Sequence, residues 1–186
     1  MKLPTHGDSE RGQVGIGTLI IFIALVLVAA VAAGVLINTA GQLESSASDT
    51  GEDAQAQVSN QIDVVSATGA VDGSEVNEVV LVVKKSPGSD AIDLSAATIQ
   101  YTSSSDSETL SNSSGFTINS TDGSSTTDTV LDDTSERKKV VISLDGTPSA
   151  LGEGEEATLE IVDQSGASTV YGVNVPDVLT GDYVSV

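Results

Sequence analysis

The sequence has no cysteine and no tryptophan, and its one histidine is His6. Without cysteine there is no disulfide, no thiol nucleophile and no thiolate metal site. His6 lies ahead of a long apolar run. If the short segment in front of that run is removed, the chain keeps neither His nor Cys. Ser–His and Cys–His catalysis within one chain are then excluded, as are the usual zinc sites. Carboxylate chemistry stays open, but no pattern points to it. Aromatic residues make up only 3% of the chain, so any core must rest on Val, Ile, Leu and Ala. Basic residues are scarce as well: seven Lys and Arg stand against 27 Asp and Glu, for a net charge of -20. Such a chain repels phosphate and is not expected to bind nucleic acid. The acidic residues are spread along the polar segments, as on a solvated surface. Their density suits concentrated salt, where the Debye length shrinks from about 10 Å at 0.1 M to about 3 Å at 1 M.

What the sequence does have is one long apolar run. No charge falls between Arg11 and Glu44, and Val14 to Ile37 reads VGIGTLIIFIALVLVAAVAAGVLI. As a helix this stretch would extend roughly 36 Å, enough to cross a bilayer core of about 30 Å. Beyond it, Leu43, Ala47, Gly51, Ala54, Val58, Ile62 and Val65 follow at three- and four-residue steps, a narrow apolar stripe on a polar helix. The pattern predicts one helix from about Val14 to about Ser59. From Ile62 onward short β-branched runs alternate with turn residues. Strands are expected at Ile62–Ala67, Glu78–Lys84, Thr98–Thr102, Phe116–Asn119, Lys139–Leu144, Ala157–Val162 and Thr169–Val175, with a weak one near Thr129–Leu131. The Ser/Thr-rich stretch from Thr102 to Asp128 reads as a surface loop or a floppy excursion. The fold class expected is α+β: a long N-terminal apolar helix followed by an antiparallel Ig-like β-sandwich head.

The junction Arg11-Gly12-Gln13 directly precedes the apolar run. An ordinary secretory signal is cut after its apolar segment, and Ala30-Val31-Ala32 would serve as such a site. The run continues well past Ala32, which argues against that reading. A signal anchor that is never cut is the other plain alternative. Here the sequence resembles the archaellins, the archaeal flagellins. The likeness lies in RGQVGIGTLI at Arg11–Ile20, LVAAVAAGVLINTAG at Leu27–Gly41, QVSNQIDVVSATG at Gln57–Gly69 and DLSAATIQYT at Asp93–Thr102. The resemblance implies a class III signal peptide, cut after Gly12 by a prepilin peptidase so that Gln13 becomes the first residue. Arg11 is then the basic residue before the cut. Glu10 departs from the family, which often has a second basic residue there. Bacterial type IV pilins usually carry Glu at the fifth residue after the cut, where this chain has Gly17. The implied division is a leader at 1–12, a polymerisation helix at 13–60 and a β head at 61–186.

Other features fit an exported polymer. Within the run, Ala29 and Ala33, and Ala30 and Gly34, sit four apart and would let helix backbones approach closely, with Leu27 at mid-run. The bland alternative is that Ala and Gly are common in membrane helices. Two N-glycosylation sequons begin at Asn112 and Asn119. Asp132-Asp133 and the group Glu153, Glu155 and Glu156 lack EF-hand spacing and read first as solvated acids. No cofactor is expected, with a structural Ca2+ or other cation kept open.

The resemblance implies a structural subunit of the archaeal flagellum, extracellular and not an enzyme. Its expected partners are copies of itself, sibling archaellins, the prepilin peptidase, a membrane assembly and motor complex, the N-glycosylation machinery and, before assembly, the cell membrane. The rival readings are an archaeal adhesion pilin, a membrane-anchored surface binding protein and, more remotely, a secreted carboxylate hydrolase.

Overall fold

The computed structural model describes residues 7–121, 128–146 and 148–186. Its first element, α1 (Gly7–Ser59), is a single helix of 53 residues. It starts ahead of the expected Val14 and ends where expected. The chain divides into two compact units, one reaching to Gly51 and the other covering Glu52–Val186. The last turns of α1 therefore belong to the β unit.

That unit contains β1 (Ile62–Asp72), β2 (Glu75–Lys85), β3 (Ile92–Asp93), β4 (Thr98–Ser103), β5 (Ser107–Asn112), β6 (Gly115–Ser120) and β7 (Val130–Leu131). It continues with β8 (Lys138–Ser143), β9 (Leu151–Gly152), β10 (Glu156–Val162), β11 (Ser168–Asn174) and β12 (Tyr183–Ser185). The stripe expected to continue along the helix stops at Val58, because Ile62 and Val65 already belong to β1. Each expected strand is present, most of them longer at one end or both. The expectation of a loop from Thr102 to Asp128 is corrected by β5, which lies inside it ahead of the expected strand at β6; residues 122–127 fall outside the described residues. In β5 a single buried apolar residue, Leu110, marks the inward face among Ser, Thr and Glu. A period-two apolar signal needs at least two such residues.

Most strands join one sheet in the order β11-β10-β4-β5-β6-β8-β2-β1-β12, with β9 also pairing β2, while β3 and β7 pair separately. All pairs are antiparallel except β5 with β6. That exception is a corner. β5 pairs with β4, the chain bends at Ser113-Ser114, and β6 then pairs with β8. Ser113 takes φ 67°, its N–H donates to the Phe116 carbonyl at 2.9 Å, and a Cβ on Gly115 would lie 2.6 Å from the Leu110 side chain. Only glycine fits there. The corner folds the sheet into two facing halves, so the expected sandwich-like core is enclosed by one continuous curled sheet. The curl brings β11 to β1, where the Thr169 hydroxyl donates to the Ile62 carbonyl at 3.0 Å.

Valines and leucines at alternate positions fill the space between the halves. Val79, Leu81 and Val83 of β2 meet Val140 and Ile142 of β8, facing Ile99, Tyr101, Leu159 and Ile161. Tyr101 and Phe116 are the two aromatic residues that are fully buried. At roughly 1.5–3 kcal/mol for each large apolar side chain, this burial is the main stabilising term. The basic residues beyond Arg11 are Lys84, Lys85, Arg137, Lys138 and Lys139. They fall on the neighbouring strands β2 and β8 or directly ahead of β8.

Candidate functional site

The apolar part of α1 shows no inward face within this chain. Leu27 is 61% exposed, Val28 68% and Ile37 73%. A stretch apolar on all sides is not the one-sided helix of a soluble domain. Ala29, Ala30 and Ala33 are also exposed, and no described atom lies within 4 Å of where a Cβ on Gly34 would sit. The small residues thus leave room against the backbone that another helix could use. The two hydroxyls flanking the core of the run are satisfied locally. Thr18 donates to the Gly15 carbonyl at 2.9 Å and Thr39 to that of Leu36 at 3.0 Å. With every backbone bond internal to the helix, the segment is fitted to an apolar medium. In water, each of its large side chains forfeits roughly 1.5–3 kcal/mol of burial. Arg11, Gly12 and Gln13 continue the same helix, and a Cβ on Gly12 would also meet no described atom within 4 Å. His6 lies outside the described residues.

The end of α1 is tied into the β unit by side chains that sequence reasoning did not single out. A helix leaves its last carbonyls without partners, and the last turn of α1 has no basic residue to serve them. Ser89, from the loop after β2, supplies the missing groups. Its hydroxyl donates to the Ser59 carbonyl at 3.0 Å and accepts from the Gln61 amide at 3.0 Å. Asn60 is 3% exposed, and its side-chain oxygen accepts from the Asp90 amide at 2.9 Å. Lys85 Nζ donates to the Ser89 carbonyl at 3.2 Å, and the Ser86 amide bonds the Gln61 carbonyl at 2.9 Å. On another side Gln57 Nε2 donates to the Gly166 carbonyl at 3.2 Å. That turn is itself rigid, because the buried Asp163 carboxylate accepts from the amides of Ser165 and Ala167 and from the Ser165 hydroxyl. Asn directly after a helix is a legible C-cap signal. Ser89 lies 30 residues from Ser59, and no local pattern links them.

Three of the acidic residues flagged in the sequence accept local hydrogen bonds of their own. Asp133 Oδ1 accepts from the amide and hydroxyl of Ser135, which hold its carboxyl below the usual range. Glu155 accepts from the Gly152 amide and Glu153 from the Leu179 amide. Among the described residues no three acidic or histidine side chains converge as a metal ligand set. Among the described residues, one charged cluster has a buried member. Lys138 Nζ, 6% exposed, lies 2.8 Å from both Asp128 and Glu136. Burial alone would lower the lysine pKa, but the bonds to the two carboxylates outweigh it and raise it. The lysine bond in turn draws both carboxyls down.

Of the two sequons, Asn112 ends β5 at the corner and Asn119 lies within β6. Both are half-buried and not fully exposed.

Comparison with known proteins agrees with this architecture. The sequence model of a family described as archaeal-type flagellin matches residues 12–173. Flagellin A2 of Halobacterium salinarum is 49% identical over 179 residues, covering 92% of each chain. Flagellin B1 of Natrialba magadii is 44% identical over 195 residues, covering 97% of each. Among solved structures, the archaeal flagellum of Methanospirillum hungatei matches with a TM-score of 0.71 at 24% identity, over 91% of this chain and 98% of that one. The crystal structure of archaeal flagellin FlaB1 from Methanocaldococcus jannaschii matches with a TM-score of 0.58 at 14% identity, over 68% and 96%. At these identities the two structures speak for the fold.

Proposed function

We propose, from the premise that this chain belongs to the archaeal-type flagellin family, that it splits one mechanical task between an apolar helix that polymerises and a β unit that meets the solvent. The chain is a structural subunit of an archaeal flagellum filament outside the cell, and not an enzyme. It assembles with copies of itself. The observation that carries this is the helix that is apolar on every side, joined without a break to a folded acidic domain.

Membership of the family implies the steps around assembly. A prepilin peptidase cuts after Gly12 and frees Gln13. Before that, Val14–Ile37 lies in the cell membrane, which satisfies its apolar surface. Moving from lipid into a bundle of like helices yields little hydrophobic gain, so close packing at Ala29, Ala30, Ala33 and Gly34 must decide the outcome. The β units, with their joint at Asn60 and Ser89, carry load to the filament surface. A membrane motor complex turns the filament for swimming, sibling flagellins share it, and an N-glycosylation machinery coats it.

The test is direct. Filaments sheared from cells should contain this chain beginning at Gln13, and deleting its gene should abolish swimming while leaving surface attachment intact. Attachment lost with swimming retained would turn the reading towards an adhesion pilin.

A further inference from the structure

The outward face of an antiparallel sheet that meets solvent normally carries polar side chains. One part of this sheet breaks that rule. On β2 and β8, Val80 stands opposite Val141 and Val82 opposite Lys139, all in the outward register. The next strand, β6, places Thr117 opposite Val141 and Asn119 opposite Lys139. Val80, Val82, Val141, Lys139 and Asn119 are half-buried, and they line an open groove of about 480 Å³ that leads towards the exposed Tyr183 on β12. That volume lies within the roughly 300–1,000 Å³ of sites that hold small molecules. Asn119 also begins Asn119-Ser120-Thr121. Asn112 has the opposite register. It shares the inward side of β5 with the buried Leu110, at the crowded corner where Gly115 meets Leu110.

We propose that Asn119, and not Asn112, carries an N-linked oligosaccharide, and that this sugar lies back along the valine groove instead of standing off into solvent. The inference rests on the reading of the chain as an exported filament subunit. The donor is a lipid-phosphate-linked oligosaccharide. Transfer forms a bond from Asn119 Nδ2 to the anomeric carbon of the first sugar and breaks that carbon's bond to the phosphate oxygen. The lipid phosphate leaves with the bonding pair, and Nδ2 gives up one proton. Pyranose rings present a face of C–H groups, which can cover Val82, Val80 and Val141 and remove them from water. Their hydroxyls can meet the Lys139 ammonium and the Glu78 carboxylate at the rim.

Three full-length chains, isolated from the sheared filament fraction, test this: wild type, Thr121→Ala, which removes the sequon but keeps Asn119, and the outward isosteric pair Val80→Thr with Val82→Thr. Cleavage of the denatured chain after Phe116 separates the two asparagines for mass measurement. Sugar mass is expected on the Asn119 fragment alone. An amine-reactive label should then modify Lys139 of the folded wild type several-fold more slowly than in Thr121→Ala. In the valine pair, Lys139 should label as fast as in Thr121→Ala although the sugar is still attached. A sugar on Asn112, or none on Asn119, overturns the assignment. Equal Lys139 rates in all three chains overturn the groove, and if all are slow a second copy of the chain covers that face. Absence of the chain from filaments is a separate result. It would remove the filament reading, and the same measurements would then be made on the membrane-bound chain.

Discussion

The hydroxyl of Ser89 bridges the end of α1, lying 3.0 Å from the carbonyl oxygen of Ser59, the last helical residue. The same oxygen accepts from the Gln61 amide at 3.0 Å. One side chain thus takes up an acceptor that the helix leaves unserved and a donor that the first strand does not use. Ser89→Ala would leave both groups without this partner in a part-buried setting, at a cost of about 1 kcal/mol. The β unit should melt several degrees lower, and the Gln61 amide should exchange with solvent faster. An unchanged melting temperature and unchanged exchange would mean that the joint does not depend on this bridge.

Gly12→Val separates recognition from folding. The helix runs through Gly12 and has open space where the new side chain would go, and valine is a better helix former than glycine by a few tenths of a kcal/mol. The chain itself should tolerate the change. Cells should nevertheless accumulate an unprocessed form that retains residues 1–12, and make no filaments. Filaments of this variant beginning at Gln13 would show that the peptidase makes no use of the missing Cβ.

Two helix variants should lose filaments for opposite local reasons. Leu27→Lys places a charge at mid-run, costing roughly 2.5–3.5 kcal/mol in an apolar medium, repeated in every subunit. Gly34→Leu favours the helix itself by somewhat less than the roughly 0.8–1 kcal/mol that separates Gly from Ala, yet it fills the space through which a second backbone would approach. Helicity by circular dichroism should hold or rise in Gly34→Leu while filament yield falls. Full yield in Gly34→Leu would reduce Ala29, Ala30, Ala33 and Gly34 to ordinary membrane-helix composition.

Salt should govern the filament more than the fold. Residues 1–12 carry two acidic and two basic residues, so removing them leaves the net charge at -20. Lowering salt from molar to about 0.01 M stretches the Debye length from about 3 Å to about 30 Å, so that neighbouring subunits repel. Filaments should loosen or come apart, and divalent cations should protect better than sodium at equal ionic strength. Filaments unchanged after prolonged dialysis into water would contradict this.

The Lys138 cluster sets two pH limits. The carboxyls of Glu136 and Asp128 are held below the ordinary range, first by their bonds to Lys138. Their contribution is complete above the ordinary carboxylate pKa of about 4 and is lost as pH falls through the lowered values. Lys138 is raised despite its burial. Its contribution is complete below about 10.4 and is lost as pH rises through the raised value. Lys138→Met should remove the alkaline limit and weaken the acidic one, since Glu136 keeps its bond from the Asp132 amide and Asp128 its bond from Val130. A pH–stability profile identical to wild type would show that the cluster contributes nothing.

The long helix and most strands were legible from their own sequence: Val14–Ile37 by unbroken apolarity, β2 and β8 by short β-branched runs at Val79–Val83 and Val140–Ile142, and β10 by alternation of Ala157, Leu159 and Ile161. β5 was hidden because Leu110 is its one apolar residue and its pairing depends on β4. The corner at Ser113 was hidden for a related reason. A non-glycine residue with positive φ is set by the strands on either side, and the sequence around it reads only as Ser-rich. The helix joint was half legible, with Asn60 a cap signal and Ser89 supplied by a distant loop. The outward valines were read simply as strand residues, because alternation cannot say which partner covers the second face.

The gathering of basic residues on β2 and β8 has a consequence for digestion. An enzyme that cuts after Lys or Arg finds no target in α1 beyond Arg11, and none in the turns linking β4 to β5 or β10 to β11. Its remaining targets, Lys84, Lys85, Arg137, Lys138 and Lys139, lie on or directly before two strands paired near the middle of the sheet. Cleavage at Lys84, Lys138 and Lys139 must wait for that pair to open, so its rate reports a large-scale opening of the β unit, whereas Arg137 lies in the loop just ahead of it. Filaments shed into surroundings rich in such enzymes should persist for as long as that central pair stays shut.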